Sequence, residues 1–144
     1  MIFNAFQRED ADNVFTIVRN VRGSSISAGA CVVWDISSSV DGVRVTAPAT
    51  ATLSLAVGLL AEALADSQYG KCLTHGYTSA AYVIGSTATI NPGDILLPVN
   101  GQTYLGTNTV SDGKSGFFYA AESFASSTTP STTPTLKKTL VRCL

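Results

Sequence analysis

Thiol and imidazole come close in sequence once in this chain of 144 residues, in the run Cys72-Leu-Thr-His75. A cysteine nucleophile needs a base within hydrogen-bond reach, and this is the nearest approach to one. On a strand, residues three apart point to opposite faces, and no carboxylate stands nearby in sequence to orient the ring. The pair therefore reads as a buried thiol and a surface histidine at a strand end. Cys31, Cys72 and Cys143, with one histidine, offer no usual zinc spacing. Asp35, Asp41, Asp94 and Asp112 stand beside turn residues, where short carboxylates cap backbone donors; no pattern supports a shared calcium site. Glu62 and Glu122 lie in matching contexts and would work as acid and base only if two halves of the chain closed on each other. Capping of loop donors is the simpler role. No phosphate-binding glycine loop stands at a strand–helix junction. Neither catalysis nor a cofactor is expected.

The composition explains where such a chain would spend its surface. Charged residues make up 13% of it and apolar residues 45%, whereas a typical soluble domain carries about 25% charge. Ala, Ser, Thr and Gly fill the gap, which suits a subunit whose surface is partly covered in an assembly. A secreted β-protein with a Ser/Thr-rich surface is the plainer reading. Net charge is −1, and Lys137-Lys138 is the one basic pair; nucleic-acid binding needs a basic stripe to displace counterions. No apolar run reaches the ~20 residues that span a bilayer. The start, MIFNAFQRED, lacks the basic and apolar regions of a secretion signal, so synthesis and folding in a cytoplasm are expected, with the three cysteines free and structural.

The elements follow from punctuation. Residues 68–105 hold short Val-, Ile-, Tyr- and Thr-rich runs separated by Tyr69-Gly70, His75-Gly76, Ile84-Gly85, Asn91-Pro92-Gly93-Asp94 and Asn100-Gly101, and predict a β-meander with tight connections. Asn100-Gly101 predicts a two-residue I′ turn. Earlier, 13–21 and 31–36 predict strands, the first with Phe15, Ile17 and Val21 on one face. Asp41-Gly42 marks a hairpin into 43–45. Residues 53–65 fit a helix by the spacing of Leu53, Val57, Leu60 and Leu64, and a strand by the alternation of Leu53, Leu55, Val57 and Leu59; the expectation is a strand to Leu60, then a helical turn or loop. Later, 116–124 predicts a strand, 125–135 an exposed Ser/Thr/Pro loop, and 136–144 a closing strand paired inside the sheet. The fold class is mainly β: a small antiparallel β-barrel or β-sandwich with an N-terminal arm and at most one short helix. Residues 1–12 form that arm and 13–144 a single β-domain. Ile2, Phe3 and Phe6 on the arm, with Arg8 where it meets solvent, are the expected contacts with a partner.

An internal echo divides the domain. Ile26-Ser-Ala-Gly29 is matched by Ile90-Asn-Pro-Gly93, 64 residues on (26 to 90), and Ala61-Glu62-Ala-Leu64 by Ala121-Glu122-Ser-Phe124, 60 on (61 to 121). Two related β-units, about 22–80 and 86–144, would account for it; chance matching of short Ala/Gly/Leu strings would as well.

The run Tyr69-Gly-Lys-Cys-Leu-Thr-His-Gly-Tyr77, with Ala80-Ala-Tyr-Val83 and Ile90-Asn-Pro-Gly-Asp-Ile-Leu96 after it, resembles small tailed-phage capsid decoration (cement) proteins. Ile26–Gly29 and Ala120–Phe124 fill two further places of their pattern, and the likeness covers roughly residues 22–144. The Ala-Glu-Ser-Phe string departs from that pattern, and the arm has no counterpart in it. The resemblance implies a compact β-barrel or β-sandwich that binds the outside of an assembled shell, without catalysis. The expected partners are the major capsid protein and further copies of the chain, with a trimer favoured, and the expected location is the virion surface. A fibre or glycan-binding module using Trp34, Tyr77, Tyr82 or Tyr104 as a stacking platform is the alternative. A hydrolase built on Cys72 and His75 comes last.

Overall fold

A computed structural model of the chain describes residues 13–37, 41–85, 89–107, 117–124 and 133–143. The expected arm, with Ile2, Phe3, Phe6 and Arg8, lies outside the described residues, as do Asp112 and most of the Ser/Thr/Pro loop. The strands are β1 (Val14–Asn20), β2 (Cys31–Trp34), β3 (Arg44–Thr46), β4 (Ala56–Leu60), β5 (Tyr69–Val83), β6 (Ile95–Pro98), β7 (Leu105–Thr107), β8 (Phe118–Ala120) and β9 (Thr135–Arg142). One 3-10 turn, Leu53–Leu55, is the only helical element among the described residues. The protein is mainly β, and its sheet closes on itself.

The pairings make two rings of five strands that share β5. In the first, β1 lies parallel to β3, and β3, β2, β4, β5 and β1 follow by antiparallel pairs. In the second, β5 lies parallel to β7, and β7, β6, β8, β9 and β5 follow in the same way. Among the described residues closure shortens the open edges, leaving β1 with one partner over Val14–Val18. Only a strand of 15 residues is long enough to serve both rings: β5 pairs β1 through Tyr69–His75 and β9 through His75–Val83. A break in register between Thr78 and Ala81 bends it on the way.

The rings repeat each other's pairings at most registers. Cys31↔Leu59 in ring 1 corresponds to Ile95↔Tyr119 in ring 2, Trp34↔Val45 to Pro98↔Leu105, and Leu60↔Cys72 to Ala120↔Thr139. The turns of the sequence echo carry the same bonds. Ile26 pairs with Leu64, and Ile90 with Phe124. The Gly29 N–H donates to Leu60 O at 2.7 Å, and the Gly93 N–H to Ala120 O at 2.8 Å. Both glycines have φ in the left-handed region, 77° and 93°, which side chains disfavour. Glu62 Oε1 accepts from the Lys71 N–H at 3.1 Å, and Glu122 Oε1 from the Lys138 N–H at 3.0 Å. Each carboxylate holds its own ring's closing strand, so the two do not form an acid–base pair.

Alternation along each strand sorts side chains into interior and exterior. Ring 1 is filled by Val18, Ile26, Val32, Val45, Val57, Leu60, Leu64 and Cys72. Ring 2 is filled by Ala81, Ile90, Leu96, Leu105, Phe118, Ala120 and Val141. The fill is exchanged rather than copied: Val18, Gly58 and Leu60 stand where ring 2 has Ala81, Phe118 and Ala120. One large ring replaces two aliphatic chains, so the total fill is what each interior keeps.

Several local expectations are corrected. Tyr69-Gly70 and His75-Gly76 are not turns but lie inside β5, because each half of that strand has a partner on both sides. Asn100-Gly101 does not make a I′ turn: Gly101 alone has positive φ, 72°, within a turn closed by the Gln102 N–H on Val99 O at 3.1 Å. Residues 53–55 form the 3-10 turn, and the strand begins at Ala56. Phe15 and Ile17 face outward, and Val18 between Ile17 and Arg19 is the core member.

Asn20 closes ring 1 at its end. Its buried amide donates to Ser24 O at 2.8 Å, Leu64 O at 3.0 Å and Ala65 O at 3.2 Å, and its Oδ1 accepts from the Arg22 N–H at 2.9 Å. Asn20→Ala strands these buried groups, so urea denaturation is expected to show a loss of about 2 kcal/mol. An unchanged midpoint would mean that water takes over the bonds.

Candidate interaction surface

The thiols come first, because they were the sequence's only nucleophiles of note. Cys31 and Cys72 are buried and Cys143 is half-buried, all three unbonded to one another. Cys72 points into ring 1, whereas His75 is exposed and pairs with Arg142 of β9. The structure therefore does not bring thiol and imidazole together. Burial pushes the Cys31 and Cys72 thiols well up, and Cys143 up to about 12. Because the thiolate is the reactive form, native protein at pH 8 is expected to alkylate far more slowly than a free cysteine. Three thiols should be counted by intact mass once the chain is unfolded; rapid labelling of native protein would contradict this burial. The raised values also fix a sign. Stability from the protonated thiols is full below the unfolded pKa of about 8.5 and falls as pH rises above it.

Among the described residues, no three His, Cys, Asp or Glu side chains stand together as a metal site. Asp35 meets Arg44 at 3.0 Å, and hydrogen bonds from Ser37, then Arg44, hold its carboxyl below the usual range. Asp41 and Asp94 cap turn donors, on Val43 and Asn91. Trp34 packs against the core of ring 1, whereas Tyr77 lies on the outer side of ring 2, opposite Leu140. Trp34 and Tyr77 thus share no platform. No helix among the described residues is long and apolar enough to cross a membrane.

What the exterior offers instead is apolar surface on sheet faces. On ring 1, Phe15 (46% exposed), Ile17 (52%) and Tyr69 (57%) stand on paired strands β1 and β5, with Arg19 lying 5.8 Å over the Tyr69 ring. On ring 2, Ile95, Tyr119, Leu140 and Tyr77 form one row across four strands, each in register with the next. Ile95 and Leu140 are exposed, and Tyr119 and Tyr77 half-buried. Asn13 sits beside this row, its Oδ1 accepting from the Tyr77 N–H at 2.9 Å. Of this row only Tyr77 was legible in the sequence as a candidate, whereas Ile95, Tyr119 and Leu140 were missed. Alternation tells which residues share a face, but not which face meets water.

No protein-family model matches the chain, and no curated protein does.

Proposed function

We propose that this protein is a structural component of a phage virion that binds the outside of the capsid and cements neighbouring capsid subunits. The observation that carries the proposal is the exposed apolar surface on both rings, Phe15, Ile17 and Tyr69 on one and Ile95 and Leu140 on the other. Contiguous exposed apolar patches mark interaction sites in soluble proteins. Both rings close among the described residues, which favours a partner that lies flat on these faces. Low charge and the resemblance of residues 22–144 to cement proteins support the same reading. Ile2, Phe3, Phe6 and Arg8 are the arm's contacts with the shell or a neighbouring copy.

The test is co-sedimentation of the purified protein with empty, expanded shells of the phage that encodes it. Saturable binding and a higher disruption temperature of the shells are expected. Protein that stays in the supernatant at tens of micromolar overturns the reading. Deleting residues 1–8 is expected to leave the melting temperature nearly unchanged and to weaken binding at least tenfold. A deletion that unfolds the domain would instead assign the arm to the core.

A further inference from the structure

Ring 1 closes through only the last part of β1. Along a paired strand, successive N–H groups point to opposite sides. The Asn20 N–H serves Gln68 O on the β5 side at 3.0 Å, and the Arg19 N–H serves Val43 O on the β3 side at 2.7 Å. Phe15 and Ile17 share the parity of Arg19, so their N–H and C=O groups face away from β5. β3 does not reach them, its register with β1 being Arg19↔Arg44 and Asn20↔Val45. The Val43 N–H, next in that ladder for Ile17 O, goes instead to Asp41 Oδ1 at 3.1 Å. Among the described residues, the outward backbone groups of Phe15 and Ile17 meet no partner.

Ring 2 occupies the matching edge from within the chain. The part of β5 that takes the place of β1 has its Tyr77 N–H on Asn13 Oδ1 at 2.9 Å, its Ala80 N–H on Thr78 Oγ1 at 3.2 Å and its Tyr82 N–H on Gly29 O at 2.9 Å. Nor does β1 carry the devices that keep an edge to itself. Residues 14–18 read Val-Phe-Thr-Ile-Val, without charge or proline. At the register shift the extra residue, Thr74, belongs to β5, so β1 stays regular.

We propose that two copies of this chain pair through these edges, β1 against β1, antiparallel about Thr16. Phe15 of each copy then stands opposite Ile17 of the other and exchanges both backbone bonds with it, so every outward group finds its complement. The exposed Phe15 and Ile17 side chains of the two copies meet as cross-strand apolar pairs on one outer face. Charge selects a second copy and its direction. Glu9, Asp10 and Asp12 precede β1 in the sequence, and Arg19 and Arg22 follow its edge. Antiparallel pairing sends the acidic side of each copy toward the basic side of the other, whereas parallel pairing sets like charges together. Arg19 Nε, on that basic side, is buried without a hydrogen-bond partner among the described residues. An isologous contact of this kind closes at two copies. The inference goes beyond the capsid reading and does not rest on it.

Purified full-length chain is expected to sediment as a dimer at tens of micromolar. Ile17→Pro deletes an N–H that has no partner within the chain, and should give a monomer with a near-wild-type melting temperature. Thr16→Cys sets two thiols on the two-fold axis at a non-hydrogen-bonded pair, where Cα atoms stand about 4.5 Å apart. Mild oxidant should link most of it into a covalent dimer, and should link little of Val14→Cys, which faces Val18 of the other copy. A monomeric or trimeric wild type overturns the proposal. So does a dimer that Ile17→Pro leaves intact, or one in which Thr16→Cys fails to link. If the wild type is a monomer that dimerises once residues 1–8 are deleted, the chain's own start covers the edge in place of a second copy. If Ile17→Pro unfolds, Ile17→Lys, which sets a charge opposite Phe15 of the other copy, takes its place with the same outcomes.

Discussion

Gly29→Ala is expected to lower stability by roughly 3–5 kcal/mol, about 10 °C or more in melting temperature, while Gly93→Ala costs about 1 kcal/mol. The two glycines occupy the same turn of the two rings, with φ of 77° and 93°. A methyl group meets the same backbone strain at both. Only at Gly29 does it also drive into the Ala80 carbonyl oxygen, where ring 2 lies against ring 1; around Gly93 there is open space. Backbone cannot step aside as a flexible side chain can. Paired thermal melts give the comparison directly, and equal losses would show that the turn, not the contact between rings, sets the cost.

Phe118→Ala is expected to cost roughly 3–5 kcal/mol, the range for an aromatic deleted from a packed core. Phe118 is fully buried and fills ring 2 together with Ala81, Leu96, Leu105 and Val141. The exchange of sizes between rings makes a sharper expectation. Where ring 2 has Phe118 and Ala120, ring 1 has Gly58 and Leu60. Adding Ala120→Leu to Phe118→Ala should therefore restore part of the loss, while Ala120→Leu alone should destabilise by overpacking, about 1–3 kcal/mol. Denaturant melts of the two single variants and the double give the coupling. Strict additivity would mean that the two positions do not share one space.

The features legible in the sequence were those that the backbone itself demands. Ile-x-x-Gly at 26–29 and 90–93 and Ala-Glu at 61–62 and 121–122 recur because a left-handed turn favours glycine and the Lys71 and Lys138 N–H groups of the closing strands are each met by a carboxylate. Strand-forming residues punctuated by turn residues likewise determined the mainly β class, against one ambiguous helical period at 53–65. The core did not repeat legibly, since an interior asks for total volume rather than for particular residues: Gly58 answers Phe118, and Cys72 answers Thr139. Tertiary structure alone decided that Tyr69-Gly70 and His75-Gly76 stay extended, because β5 has strands on both sides to satisfy its backbone through both rings. It also decided the fate of the outer rows. Cys31, Leu59 and Leu73 are buried and Ile95 and Leu140 exposed although both sets occupy the same registers, because the first row packs against ring 2 and no third ring among the described residues packs against the second.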